Sequence, residues 1–227
     1  MTKSVLLTRS DLENVKLEQE LQKCDYEILK CSLIKQELLD FDYKQLIHFT
    51  DIIITSFFMA DAMPHSSTIA SDMSVWVVGE KSSDILRKKG YKIMFCAESV
   101  NHLKQNIPSH IYKNAVYLSS DHITVDMPAE CVRSILYKVT YRNSISNHAV
   151  MRYREGVDCI LLYSENCAKT LMNLIKENYL KNYLANSTYI VISSKVERVV
   201  KRYFDKVVVC NNADAMLEYL KQENDKK

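Results

Sequence analysis

The sequence predicts an α/β protein made of two similar lobes, each with a parallel sheet. Three observations lead to this prediction. Short apolar runs suited to buried parallel strands alternate with segments that have helical spacing. Several segments of the first half match segments of the second half at a nearly constant offset. Hydrophobic residues make up 47% of the 227 residues, which is enough to build a core.

The first half contains four apolar runs that we predict to be strands, at residues 5–7, 51–55, 75–78 and 92–95. A strand, helix, strand, helix order is typical of a parallel sheet with crossover helices.

Residues 11–23 have helical spacing, and Ser10 or Asp11 is suited to the N-cap position. We predict that one apolar stripe of this helix faces the core: Leu12, Val15, Leu17 and Leu21. A later helix follows Ser82, and Gly90 stands where a glycine would end it.

Four pairs of segments repeat in order along the chain. Residues 75–96 align with 189–210 at an offset of 114, and residues 5–11 align with 116–122 at 111. The other pairs are 51–56 with 158–164, at 107 to 108, and 24–30 with 131–137, at 107. We interpret the matches as an internal duplication of one α/β unit of roughly 100 residues. The alternative interpretation is that parallel α/β segments resemble each other because strand and helix patterns are generic.

The shortage of glycine excludes several classes of function. The chain has 3 glycines and lacks the G-x-G-x-x-G, G-x-x-x-x-G-K-[ST] and G-x-S-x-G motifs, so we predict neither a glycine-based nucleotide loop nor a nucleophile elbow. The 7 cysteines form no C-x-x-C pair and the 6 histidines no i, i+4 pair, so we predict no metal and no cofactor.

Charge and hydropathy indicate the surroundings of the protein. A net charge of +2 argues against a dedicated nucleic-acid surface. No apolar run approaches the length of a signal peptide core or a membrane span. Free cysteines in this number suit a reducing compartment. We therefore expect a soluble, cytoplasmic protein that binds neither nucleic acid nor membrane.

The candidate site follows from the expected sheets, because ligands of parallel sheets bind outside the carboxyl ends of the strands. Largely hydroxylic residues stand at those ends, and helix N-termini there would add unpaired N–H groups. We predict that a carboxylate- or phosphate-binding cleft between the lobes is lined by Thr8, Arg9, Ser10, Ser56, Ser82, Ser164, Ser193 and Ser194. The alternative for each hydroxyl is that it only caps a helix.

Two tyrosines stand out in the alternating stretch 135–141, which we expect to be a strand after the first helix of the second copy of the repeat. Tyr137 and Tyr141 are four residues apart and would share one face of that strand. A tyrosine there can donate a proton to a leaving group. The alternative is packing with a hydrogen-bonded hydroxyl.

In their order, these segments resemble the uroporphyrinogen-III synthase family. VLLTRSD resembles its first-strand "TR" element, and DIIITS and DCILLYS resemble its two "D-x-h-h-h" elements, where h is apolar. VWVVGEKSSDILRKKG resembles "V-G-x-x-T-A-x-x-L-x-x-x-G", with Ser82 in place of the threonine, and ILYKVTY resembles the mid-chain "V-Y" strand. The chain departs from the family at Ser119-Ser120-Asp121, where a basic-glycine turn is usual, and at Val196, where a hydroxyl is expected.

The resemblance implies a fold of two flavodoxin-like lobes joined by a two-stranded hinge, because the chain crosses twice between lobes. Hinge strands are expected near residues 32–37 and 138–143. One lobe would combine residues 1–33 with 141–227, and the other would span residues 36–138.

The resemblance also implies a reaction, in which hydroxymethylbilane closes to uroporphyrinogen III with loss of water and inversion of ring D. The family needs no cofactor or metal for it, and the route passes through a spiro intermediate. Tyr137 matches the family's mid-chain tyrosine and is the expected general acid, with Tyr141 as its competitor. We expect a monomer whose partner is this small-molecule substrate. The alternatives are a two-lobed protein that only binds a small polyanion, and a nucleotide-dependent transferase, which the missing glycine loops disfavour.

Overall fold

A computed structural model describes residues 2–69 and 73–225 of the chain. Its strands are β1 (Ser4–Leu7), β2 (Glu27–Lys30), β3 (Ile34–Leu38), β4 (Asp51–Ile54), β5 (Ser74–Val78), β6 (Lys92–Ala97), β7 (Ala115–Ser120), β8 (Val132–Tyr141), β9 (Cys159–Leu162), β10 (Thr188–Val191) and β11 (Val207–Val209). Its α-helices are α1 (Asp11–Lys23), α2 (Phe57–Ala62), α3 (Glu80–Lys88), α4 (Val100–Asn106), α5 (Asn147–Arg154), α6 (Glu165–Glu177), α7 (Ser194–Val200) and α8 (Ala213–Asp225). Short 3₁₀ helices cover Tyr43–His48, Ser66–Thr68 and Ser109–Asn114.

The chain divides into two compact units. Unit 1 comprises residues Met1–Lys35 and Thr140–Lys227, and unit 2 comprises residues Gln36–Val139. Unit 1 contains a sheet in the order β11-β10-β9-β1-β2. The second sheet has the order β3-β8-β7-β4-β5-β6 and belongs to unit 2, apart from two residues at the start of β3 and two at the end of β8.

All strand pairs whose register is described are parallel, so the predicted parallel α/β fold is confirmed. The runs predicted to be strands at residues 5–7, 51–55, 75–78 and 92–95 correspond to β1, β4, β5 and β6. Matching sequence segments occupy corresponding places in the two sheets. The pairs are β1 with β7, β2 with β8, β9 with β4, β10 with β5, and β11 with β6.

Continuous apolar runs form these strands because each sheet is covered on both faces. In unit 1, Leu6 packs into one core cluster while Val5 and Leu7 pack into another. In unit 2, Ile53 packs on one face of the sheet while Ile52 and Ile54 pack on the other. Successive strand side chains point to opposite faces, so a strand buried on both sides needs apolar residues throughout.

The α1 helix has the predicted bounds, but its predicted apolar stripe is only partly right. Leu21 is fully buried, whereas Val15 is 52% exposed. The Leu12 side chain lies outside the described part of the chain. Helical spacing predicted the apolar face of α1, and Val15 lies on a part of that face that the core does not cover.

The helix expected between the first two strands of the second copy of the repeat, β7 and β8, is not formed. The described residues 121–131 join β7 to β8 as loop and turn. Pro128 lies in this segment and disfavours a helix, because proline lacks the N–H that an intrahelical hydrogen bond requires. Ile123 and Met127 instead pack against the core on the Ile53 face.

Gly90 ends α3 as predicted. It has a φ of +83°, and its N–H donates to Arg87 O at 2.9 Å. The N–H of Tyr91 donates to Leu86 O at 3.0 Å, which completes a Schellman motif. None of the helices in residues 2–69 and 73–225 has the length and hydropathy of a membrane span.

Candidate active site

Thr8 lies at the carboxyl-terminal edge of the unit 1 sheet, directly after β1. Its Oγ1 donates to Leu161 O on the neighbouring strand at 2.6 Å, and the residue is 1% exposed. Its own carbonyl accepts from Leu33 N at 3.1 Å. The Thr8 hydroxyl therefore holds β1 and β9 together at this edge.

Arg9 places a cation at the same edge. Its guanidinium carbon lies 3.7 Å from the centroid of the Tyr163 ring, in cation–π geometry. Asn14 on α1 donates from Nδ2 to Arg9 O at 3.0 Å and so fixes the backbone that carries the arginine. Asn14 Oδ1 is buried without a hydrogen-bond partner among the described residues.

The predicted serines of unit 1 stand at helix starts. Ser164 caps α6, and its Oγ accepts from Cys167 N at 3.1 Å. Ser10 and Ser193 hold the N-cap positions of α1 and α7 without a side-chain capping bond. Ser194 is the exposed first residue of α7.

Further cations lie close to the start of α6. Glu165 has a lowered pKa, first because Lys169 donates a hydrogen bond to its carboxylate. Lys195 and Arg198, both in α7, lower the pKa of Glu165 further through their charges. The carboxyl-terminal edge of unit 1 thus combines hydroxyl groups with positively charged side chains, a set suited to carboxylates.

In unit 2, Ser56 caps α2, since its Oγ accepts from Met59 N at 3.0 Å. Ser82 lies within the first turn of α3, and Gly79 holds the N-cap position there with a φ of +89°. Ser82 is buried, and an added Cβ on Gly79 would lie 3.8 Å from Ser82 Oγ.

The two tyrosines of β8 have different surroundings. Tyr137 is 5% exposed and packs in the unit 2 core, with its ring centroid 5.0 Å from that of Phe58. It pairs in register with Ser120 near the end of β7. Tyr141 is 39% exposed, and its hydroxyl accepts from Asn166 Nδ2 at 3.0 Å.

The structure adds two residues that the sequence reasoning missed at the unit 2 edge, Tyr117 and Arg133, each bonded to a hydroxyl that follows a strand or lies near its end. Thr55 Oγ1 and Tyr117 Oη are hydrogen-bonded at 2.9 Å. Burial raises the pKa of Tyr117, so its hydroxyl keeps its proton at neutral pH. Arg133 on β8 donates from Nε to Ser119 Oγ at 2.9 Å. This contact depends on the register of β7 and β8. The sequence signal that could have pointed to Arg133 is that residues 119–121 include no positively charged side chain.

Each edge therefore carries hydroxyl donors and an arginine. Such groups bind carboxylates through charge-assisted hydrogen bonds, and a protonated tyrosine can donate to a leaving group. Across the described residues, no group of three histidine, cysteine, aspartate or glutamate side chains is arranged to hold a metal ion.

A family model described as "Uroporphyrinogen-III synthase HemD" matches residues 15–218 of this chain. A Rickettsia prowazekii (strain Madrid E) protein, described as uncharacterized protein RP474, is 32% identical over 258 aligned positions. The alignment covers 92% of this chain and 94% of that protein.

Solved structures show a similar fold. The uroporphyrinogen-III synthetase of Helicobacter pylori 26695 superposes with a TM-score of 0.61 at 12% identity, over 98% of this chain and 100% of the other. A mutant uroporphyrinogen III synthase of Thermus thermophilus gives 0.59 at 9% identity, over 100% and 99%. The fold agrees with these structures, and the family match extends over most of the sequence. The chain belongs to the uroporphyrinogen-III synthase family.

Proposed function

We propose that this chain cyclises hydroxymethylbilane to uroporphyrinogen III, with loss of water and inversion of ring D, as a cofactor-independent lyase. The observation that carries the proposal is the family match over residues 15–218. The carboxylate-binding chemistry of the sheet edges supports it, because the substrate is a linear tetrapyrrole with many carboxylates.

The carboxyl-terminal edges of the two sheets are the proposed carboxylate receptors. At the unit 1 edge, Arg9 supplies charge, and Ser10, Ser193 and Ser194 supply hydroxyl groups at the starts of helices. Thr8, Ser56 and Ser164 act mainly in the fold, since their hydroxyls bond to the backbone. They shape the edge and keep the neighbouring backbone N–H groups in place.

Catalysis then consists mainly of orientation. The protein folds the polyanion so that the ring closes in the inverted sense, and positioning of this kind lowers barriers without a reactive cofactor. A donor assists departure of the hydroxyl by transferring a proton, so that it leaves as water. We propose Tyr137 for this role, because it matches the family's mid-chain tyrosine and lies level with Ser120 near the end of β7. Tyr141 is the competing donor.

We further propose that the two units derive from an internal duplication and that β3 and β8 form the hinge. The matching segments form strands in corresponding positions of the two sheets, which supports a common origin. The chain passes between the units at residues 35–36, within β3, and at residues 139–140, within β8. A cytoplasmic location is part of the proposal and is supported by seven free cysteines.

Product analysis tests the activity. The purified protein is given freshly prepared hydroxymethylbilane without added cofactor or metal, and the oxidised products are separated by chromatography. We expect the type III isomer, whereas heat-denatured protein should give the type I isomer that forms spontaneously. Recovery of type I alone from the native protein would contradict the enzyme, and tight substrate binding in that case would favour a protein that only binds the polyanion.

A further inference from the structure

We propose that Arg133 binds a carboxylate of the tetrapyrrole at the carboxyl-terminal edge of the unit 2 sheet, in the role that Arg9 has in unit 1. The identity of the ligand rests on the proposed function. The existence of an anion-binding residue at this edge rests on the contacts of Arg133.

The guanidinium of Arg133 is held by uncharged oxygens. Nε donates to Ser119 Oγ at 2.9 Å, and Nη2 donates to Ser120 O at 2.8 Å and to Asp121 O at 3.1 Å. These hydrogen bonds fix the planar group while Nη1 makes none with the described residues. A fixed guanidinium with donors to spare is well suited to a carboxylate.

The charge of Arg133 is not neutralised by a neighbouring acid. None of the ion pairs formed among residues 2–69 and 73–225 includes it. The carboxylate of Asp121 is engaged elsewhere, since Oδ1 accepts from Val139 N at 3.0 Å and from His122 N at 3.1 Å. Arg133 is exposed, so a ligand in solution can reach it.

The internal sequence match indicates why an arginine is needed there. At the offset of 111, Thr8 corresponds to Ser119 and Arg9 to Ser120, so β7 ends without the cation that follows β1. Arg133 starts one strand away, where it pairs in register with Tyr117, and its side chain extends toward the edge to reach Ser119 and Ser120. The guanidinium therefore lies at the end of β7, the position in unit 2 that corresponds to Arg9 and that has no cation of its own.

The neighbouring groups favour an anion as well. Tyr117 has its hydroxyl bonded to Thr55, and burial raises the pKa of that hydroxyl. The charge of Arg133 lowers this pKa, and its effect is larger than the opposite effect of Asp126. Arginine and neutral hydroxyl groups form a site for a carboxylate rather than for a cation.

The test is a binding measurement that needs no turnover. The probe is uroporphyrin III, the oxidised form of the proposed product, with its equilibrium dissociation constant measured by fluorescence. We expect Arg133→Gln to weaken binding about tenfold or more, because the variant loses a charge-assisted hydrogen bond to the carboxylate. The matched control is Lys113→Gln, which removes one exposed positive charge just before β7, at the opposite edge of the same sheet.

Equal affinities of Arg133→Gln and Lys113→Gln, or no binding by the unsubstituted protein, would overturn the inference. Thermal melts check folding, and if Arg133→Gln melts early, Arg133→Lys keeps the charge without the planar fork. That variant should bind more weakly than Lys113→Gln, and unchanged affinity again overturns the inference. Failure of the proposed function has a different signature, since the native protein would then give the type I isomer whatever the Arg133 variants bind.

Discussion

The two units each bring one arginine to the carboxyl end of corresponding strands, but the arginines come from different places in the sequence. In unit 1, Arg9 directly follows β1 and lies against the Tyr163 ring. In unit 2, Arg133 comes from β8 and is hydrogen-bonded to oxygens of residues 119–121. The comparison shows that the two sheet edges carry a charge at corresponding places, although the residues that supply it belong to different positions along the strand order.

The two arginines also differ in how firmly their guanidinium groups are held. A ring face attracts a cation without fixing its rotation, whereas hydrogen bonds to Ser119, Ser120 and Asp121 fix the guanidinium plane. We therefore expect Arg133 to be the better oriented receptor and Arg9 the more adaptable one.

The largest effect on turnover is expected at the two tyrosines of β8, and the two should differ. Tyr137→Phe should lower turnover by about 10²–10⁴, the usual loss when a general acid is removed. Tyr141→Phe should have a smaller effect, because its hydroxyl is exposed and bonded to Asn166. Steady-state rates check this, and melting temperatures confirm folding. If Tyr137→Phe keeps full turnover, catalysis consists of substrate orientation alone and Tyr137 is not the general acid.

Serine variants complete that test. Each of these substitutions leaves the backbone N–H groups in place and should lower turnover less than Tyr137→Phe: Ser56→Ala, Ser82→Ala, Ser164→Ala and Ser193→Ala. If one of them lowers turnover more than Tyr137→Phe, the proton donor is misassigned.

The second prediction compares the arginines directly. Arg9→Gln and Arg133→Gln should each raise KM about tenfold with little change in kcat, since uniform binding is lost. The double variant should raise KM about a hundredfold, because contacts that are independent add in free energy. KM and kcat from initial rates decide between the possibilities. An effect of one arginine alone would break the correspondence between the two edges.

The third prediction concerns stability at the amino-terminal ends of the strands. Asp51 and Asp158 correspond in the sequence match, but Asp51 is buried and accepts from Trp76 Nε1 at 2.8 Å. Asp158 is exposed and accepts from Ser4 N at 2.7 Å and from Ser4 Oγ at 2.9 Å, at a position where water can replace its carboxylate. Asp51→Ala should lower the free energy of unfolding by about 2–3 kcal/mol, because it leaves a buried donor unpaired, and Asp158→Ala by about 1 kcal/mol.

Urea unfolding measures both changes. The exposed Asp205→Ala serves as the control and should stay within about 0.5 kcal/mol of the unsubstituted protein. Equal losses for Asp51 and Asp158 would show that burial does not distinguish the two units here.

The smallest effect is expected at two matching helix caps. Ser56→Ala and Ser164→Ala each remove a capping oxygen, bonded at 3.0 Å and 3.1 Å respectively, and should each cost about 1 kcal/mol. Thermal unfolding of the two variants gives the comparison. A loss at one site only would mean that the other serine is needed for something besides its helix.

Local pattern was enough to predict β1, β4, β5 and β6 and the end of α3. The runs at β1, β4 and β5 were recognisable because strands covered on both faces must be apolar throughout. Gly90 was recognisable because a left-handed residue after a helix favours glycine.

Features that depend on contacts distant in sequence were not predictable. The hydrogen bonds of Arg133 follow from the pairing of β7 with β8, which no local pattern specifies. The helix expected after β7 came from the repeat, and the local sequence around Pro128 overrides it. The packing of Tyr137 on Phe58 likewise joins segments far apart in the chain.

The pairing of β7 with β8 contains an irregularity that bears on how chains of this kind can vary in length. Ser119 pairs with Ile135 and Ser120 with Tyr137, so β8 has one extra residue at this point. As a result, two consecutive residues, Leu136 and Tyr137, both pack into the same core. Deleting Leu136, the residue between Ile135 and Tyr137, would restore strict alternation and leave Tyr137 opposite Ser120, but it would remove a buried side chain from the core. Insertions and deletions among relatives should therefore concentrate in the loop 121–131 and avoid this bulge.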